Sequence, residues 1–205
     1  MGVNTIGAYS YYKYKQARDA AWQCLLDTNT QSLPVKTMRI AAHFGIKVVR
    51  NSEAELLEPS EYGCSMVDEN GKWTIVYEDS DTRGRTRFTI AHELGHILLG
   101  HEIEAGFGHY RRIREGKPIE ETQADEFAAR LLAPACVLWA LNITSANDIE
   151  QMCGISHQAA SYRAKRMKIL VERGKFLTSP LERKVFEAFQ PWIEQQNNPP
   201  EKGGV

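Results

Sequence analysis

Long apolar runs are missing from this 205-residue sequence. No stretch approaches the roughly 18 uninterrupted apolar positions that a membrane-spanning helix needs, so no membrane role is expected. The opening run, MGVNTIGAYSYYKYKQ, has neither an apolar segment of signal-peptide length nor a small-residue cleavage site. Cysteine is scarce: Cys24, Cys64, Cys136 and Cys153 form no CxxC pair and no short disulfide framework, and read as buried thiols in a reducing compartment. The expected location is the cytoplasm. A dominant charge sign is absent too, since 25 Lys and Arg face 26 Asp and Glu for a net charge of -1. No whole-protein field would draw in nucleic acid or an anionic membrane, so any such binding must be local. Internal repeats are also absent.

What is present has the proportions of a soluble globular chain, 42% hydrophobic and 25% charged, and is long enough to bury one full core with a small appended unit. The pattern predicts an α+β protein in four parts. Residues 1–45 read as N-terminal helices: Tyr14, Ala17, Ala21 and Cys24 recur at helical spacing, and Pro34 opens a second short helix that Gly45 stops. Residues 46–135 read as the core. Ile46 to Val49 forms a strand, and the runs Cys64 to Val67 and Trp73 to Tyr77 flank an Asn70-Gly71 turn, predicting a small antiparallel sheet. Helices follow from about Thr86 to Leu99 and from Ile119 to Leu132, separated by an aperiodic loop and stopped by Pro134. Residues 140–175 hold a helix-turn-helix-like pair, Ala146 to Cys153 and His157 to Val171, and residues 176–205 an amphipathic helix from Pro180 with a disordered tail.

The chemistry is concentrated in His92-Glu93-Leu94-Gly95-His96. At about 100° per residue the two histidines sit one turn apart on the same face of a helix, so both imidazoles can reach one ion. Ile90, Leu94 and Ile97 give that helix a separate apolar face, which argues against a merely structural pair of histidines. Zinc suits neutral nitrogen donors and keeps an open position when the protein supplies three ligands. For the third, Glu121 and Asp125 are four apart on the next helix and share a face, with Ala124 and Ala128 keeping that face small. One carboxylate can bind the ion while the other orients a ligand histidine. Glu120 is a rival ligand but points about 100° away and has no carboxylate four residues later. His101 invites a three-histidine reading of the form H-E-x-x-H-x-x-G-x-x-H, yet Gly100 comes one place late and His101 one place early.

The runs RTRFTIAHELGH, ending at His96, and ETQADEFAARLLAP, from Glu121 to Pro134, together resemble the ImmA/IrrE family of metallo-endopeptidases over about Gly63 to Pro134. The resemblance implies a zincin-like core of the gluzincin type, in which the HExxH helix packs on a second ligand-bearing helix and extra helices follow. It implies one zinc ion per chain on His92, His96 and Glu121, with Glu93 catalytic and Asp125 behind a ligand histidine. It also implies a protein substrate, a helix-turn-helix transcriptional repressor of a mobile element or stress response. Ala133 stands where the family often has Met, with no consequence expected for the chemistry.

Around this centre, His101, His109 and Tyr110 are candidates for oxyanion stabilisation or gating because they flank the loop after the metal helix, although each also reads as an ordinary surface residue. Trp73 to Tyr77 is expected at a sheet edge, where an extended substrate can add as a strand. Arg85 and Arg87 either support the approach to the site or form surface pairs. Two other classes of function compete. Residues 157–175 carry Arg163, Lys165, Arg166, Lys168, Arg173 and Lys175 against Glu172 alone, which fits a DNA-binding regulator with a sensory zinc site. The packing alternative makes Ala160, Ala164, Met167 and Val171 a buried stripe with the basic residues solvated. A non-cleaving partner that only binds its target is the third class, against which an intact Glu93 argues.

Overall fold

The computed structural model describes residues 5–101 and 119–198, with side chains from residue 14 onward. Helix α1 (Thr5–Asp27) buries Ala17, Ala21, Cys24 and Leu25 along one stripe, while Tyr14 is exposed. Helix α2 (Thr37–His43) begins three residues after Pro34, because Leu33 and Val35 on either side of that proline are both drawn into the core. Strand β1 (Lys47–Arg50), the short α3 (Asn51–Ala54), and strands β2 (Gly63–Val67) and β3 (Trp73–Tyr77) follow. The Asp68 carboxylate closes the β2–β3 turn, accepting from the backbone N–H groups of Asn70 and Lys72 at 2.9 Å each.

The three strands lie in the order β1-β3-β2, with β2 antiparallel and β1 parallel to β3. The antiparallel hairpin is therefore joined by a parallel strand, and the sheet is mixed. One expectation is overturned here: β3 is the central strand, and cannot accept a substrate strand at its edge. Ile75 and Val76 are adjacent and both buried, the pattern of a strand covered on both faces rather than one with a solvated side.

Helix α4 (Arg83–Leu99) starts earlier than its apolar period does, because the Thr82 hydroxyl accepts from the Arg85 N–H and caps it; Gly100 ends it in the left-handed conformation. Helix α5 (Ile119–Leu132) runs to the turn at Pro134. Helix α6 (Ala135–Ala140) was not foreseen: Ala135, Cys136, Val137 and Leu138 are all buried, and a segment apolar all round shows no period. Helices α7 (Ala146–Cys153) and α8 (His157–Glu172) are capped by the Ser145 and Ser156 side chains, and α9 (Pro180–Asn197) closes the chain.

Helices α4 and α5 pack on each other at the centre, with α1 against α5 and β2 and β3 against α4. A single apolar cluster runs through Leu25, Leu94, Phe127, Leu138, Met167 and Phe189. The four cysteines are buried and unpaired in disulfides, and burial pushes each thiol up to about 12, so they remain protonated and unreactive. No described helix is long and apolar enough to cross a membrane. The aforementioned loop and the tail beyond residue 198 lie outside the described residues.

Candidate metal centre

The site is built where α4 and α5 touch. Gly95 eases that contact: a Cβ there would lie 3.1 Å from both Ala124 Cα and Phe127 Cδ1, so any larger residue would make the neighbours on α5 give way. His92 and His96, one turn apart on α4, are both buried and direct their Nε2 atoms to the same point, 2.9 Å from each other. Glu121 enters from the first turn of α5, with one carboxylate oxygen 3.4 Å from His92 Nε2 and the other 3.3 Å from His96 Nε2. The three ligand atoms lie within 4.8 Å of one another. Glu120 is exposed to solvent, one residue away and off this face.

The outer side of each imidazole is also held. His92 Nδ1 is 2.9 Å from Asp125 Oδ1, and an ionised carboxylate can only accept, so Nδ1 carries a proton and Nε2 is the atom left to give a lone pair to an ion. His96 Nδ1 is 2.9 Å from His101 Nδ1. The αL turn at Gly100 ends the helix and folds His101 back against the ring of His96, 4.9 Å between centroids. His101 therefore sits on the Nδ1 side of His96, away from Nε2. His109 and Tyr110 lie outside the described residues.

Burial pushes the Glu121 carboxyl up, but His92 and His96, when their Nε2 atoms carry protons, outweigh that through hydrogen bonds and charge and hold it well below the usual carboxylate range; a metal ion would take the place of those protons. An anionic carboxylate and two imidazoles with oriented lone pairs, all enclosed, form a donor set that could hold a metal ion, and zinc accepts this set of nitrogen and oxygen donors.

Glu93 is buried beside this group, and its Oε2 accepts from the Ser65 hydroxyl at 2.9 Å. Sequence reasoning missed Ser65. Its one signal was a polar residue at a fully buried place in the otherwise apolar strand GCSMV. Ser65 also shows which strand reaches the site: β2, paired only with β3 among the described residues, is the sheet edge beside Glu93.

The two arginines ahead of the motif act differently from each other. Arg85 is a surface residue, 3.3 Å from Asp81 and over the Tyr62 ring. Arg87 donates to the Cys153 and Gly154 carbonyls at 3.2 and 2.6 Å, tying α4 to the C-terminal end of α7. In α8 the expected stripe is corrected at two positions. Arg163 is buried between Ala160 and Met167, whereas Val171 is half exposed at 50%. The apolar period placed the inner face one position too far round, and a phosphate-contacting surface cannot include Arg163 as a solvated residue.

A family model described as the IrrE N-terminal-like domain, a peptidase family, matches residues 41–165, from α2 into α8. No curated protein matches the chain.

Proposed function

The chain belongs to the IrrE N-terminal-like peptidase family, and from that membership we propose that it is a zinc-dependent endopeptidase with His92, His96 and Glu121 as metal ligands. The observation that carries this reading is the convergence of two buried Nε2 atoms and one buried carboxylate on a single point. Bound there, zinc would polarise a scissile carbonyl and lower the pKa of water toward about 7. The residues around it supply the rest.

Glu93 takes a proton from the attacking water and returns it to the leaving amine. Ser65 donates to Oε2 and so fixes the carboxylate plane, leaving Oε1 to receive the proton. Asp125 holds His92 in the tautomer that presents Nε2. His101 does the same for His96: for His96 Nε2 to keep its lone pair, its Nδ1–H must donate and His101 Nδ1 must accept. This makes His101 a positioning residue rather than an oxyanion donor. An extended substrate adds to the edge of β2, next to Glu93, where backbone hydrogen bonds can hold it independently of sequence. The resemblance to repressor-cleaving peptidases supports a helix-turn-helix repressor as the protein cut, in the cytoplasm where both would reside.

The decisive experiment separates ligand from base. Glu93→Gln should retain one zinc per chain while cleavage of a repressor from the same genetic neighbourhood falls by about 100-fold or more. Loss of zinc from that variant, or undiminished cutting, would overturn the assignment.

A further inference from the structure

A second feature of the structure adjoins the metal centre and shares Asp125 with it. A cavity of about 930 Å³ is lined by α1, α4, α5 and the N-terminal half of α8. That volume falls in the range of about 300–1,000 Å³ typical of small-molecule sites. Its walls are strongly cationic, with Lys15, Arg18, Arg130, Arg163 and Arg166 among them. The acids on the same walls are engaged: Asp125 with His92, Asp81 with Arg85, and Glu126 with Arg130.

Arg163 and Arg166 make no ion pair among the described residues. Arg163 is nine-tenths buried, and its enclosed Nε has no hydrogen-bond partner there. A buried guanidinium nitrogen without an acceptor is costly and calls for a reason, of which completion by a bound ligand is one. Burial lowers Arg130 to about 9, with Arg163, Arg166 and Arg18 adding to the effect, so these cations repel one another across the cavity. The first turn of α8 adds to the field: Ser156, Gln158 and Ala159 line the cavity, which brings the positive end of a 16-residue helix to it.

We propose that this cavity binds a small organic anion carrying two or more linked phosphates, held by Arg163 and Arg166, with the exposed Tyr162 ring beside it for its organic part. Guanidinium forks match phosphate oxygens two at a time. Linked phosphates also concentrate charge better than an acidic peptide, whose same-side carboxylates stand about 7 Å apart along an extended chain. The proposal is independent of the peptidase reading, since it is tested by binding.

The test is calorimetric titration of the full chain with inorganic pyrophosphate and with a nucleoside triphosphate, in zinc-loaded protein and after chelation. Binding is expected in both forms. Arg166→Gln, at an exposed position that folding tolerates, and Arg163→Gln should each weaken it by about tenfold or more, with Lys175→Gln as the unchanged control. Binding confined to the zinc-loaded form would put the phosphate on the metal and overturn the proposal. So would absence of binding, binding by both arginine variants as tight as by the parent, or capture of an acidic peptide or single-stranded oligonucleotide that pyrophosphate does not displace.

Discussion

His92, Glu93, His96 and Glu121 are buried between β2, α4 and α5, and Arg163 is buried to a similar depth on α8. The first group is answered from within the protein: Asp125, His101 and Ser65 each reach one member, and Glu121 reaches both ligand histidines. Arg163 has Arg130 and Arg166 as cationic neighbours and feels the buried Glu182 only at a distance, with no ion pair between them, and its Nε is unanswered among the described residues. Equal burial thus serves opposite ends. One site sets donors already aimed where a cation could be held, whereas the other gathers positive charge that the neighbouring acids leave partly unanswered, which is what the proposed anion would meet.

The largest test of this contrast removes a donor from the answered site. His96→Ala should abolish zinc retention and reduce cleavage to background, because the remaining imidazole and carboxylate no longer enclose the ion. Metal analysis after dialysis, with cleavage measured on the same sample, reads it. A variant that kept its zinc would mean that the convergence of the three groups is not what holds the ion. Next in size is the outer partner of His92. Asp125→Ala should cost about 10- to 100-fold in metal affinity or activity, and Asp125→Asn less, since an amide oxygen can still accept from Nδ1. Equal losses from both changes would assign Asp125 a role through its charge rather than through orientation.

The two regions meet at Gly84, where an added Cβ would stand 2.8 Å from Ile155 C and from Ser156 N. Both obstacles are backbone, so Gly84→Ala must shift α4 against the α7–α8 turn at a cost of about 1–3 kcal/mol, seen in chemical unfolding. Zinc stoichiometry should survive, because the ligand histidines lie about two and three turns further along α4 and Glu121 lies on α5. Loss of zinc together with stability would show that the α7–α8 pair sets the geometry of the metal centre rather than merely adjoining it.

How far each region was legible in the sequence follows from how local its geometry is. His92 and His96 need only the pitch of one helix to face together, and Glu121 with Asp125 repeats the same logic on α5, so these groupings could be read from spacing. The β2–β3 hairpin was equally local, with its turn written in Asp68, Asn70 and Gly71. The position of β1 was not, because a strand's own residues do not say which neighbour it pairs with. β1 adds parallel to β3 and turns an expected edge into a centre. Ser65 touches Glu93 across 28 positions of sequence, a contact no period encodes. Arg163 misled for a different reason. Its type signals solvent, while its place three after Ala160 and four before Met167 signals the core, and the place decides.

The smallest expected effect bears on the remaining basic residues of this segment. Lys168 and Lys175 are exposed and belong to neither site, so replacing both with Gln should change stability by no more than about 0.5 kcal/mol and leave zinc content unaltered. Peptide cleavage should be unaffected at high salt. At low salt it should slow only if these lysines help to attract an acidic face of the protein substrate, since steering by exposed charge weakens as ions screen it. The DNA-binding alternative makes the opposite forecast. A regulator gripping phosphates along residues 157–175 would lose sequence-selective affinity on this double change, with a shallower dependence on salt by about two phosphate contacts. Titration of genomic fragments against parent and variant at several salt concentrations distinguishes the two: tight, selective binding that drops in this way would move α8 from packing unit to nucleic-acid interface.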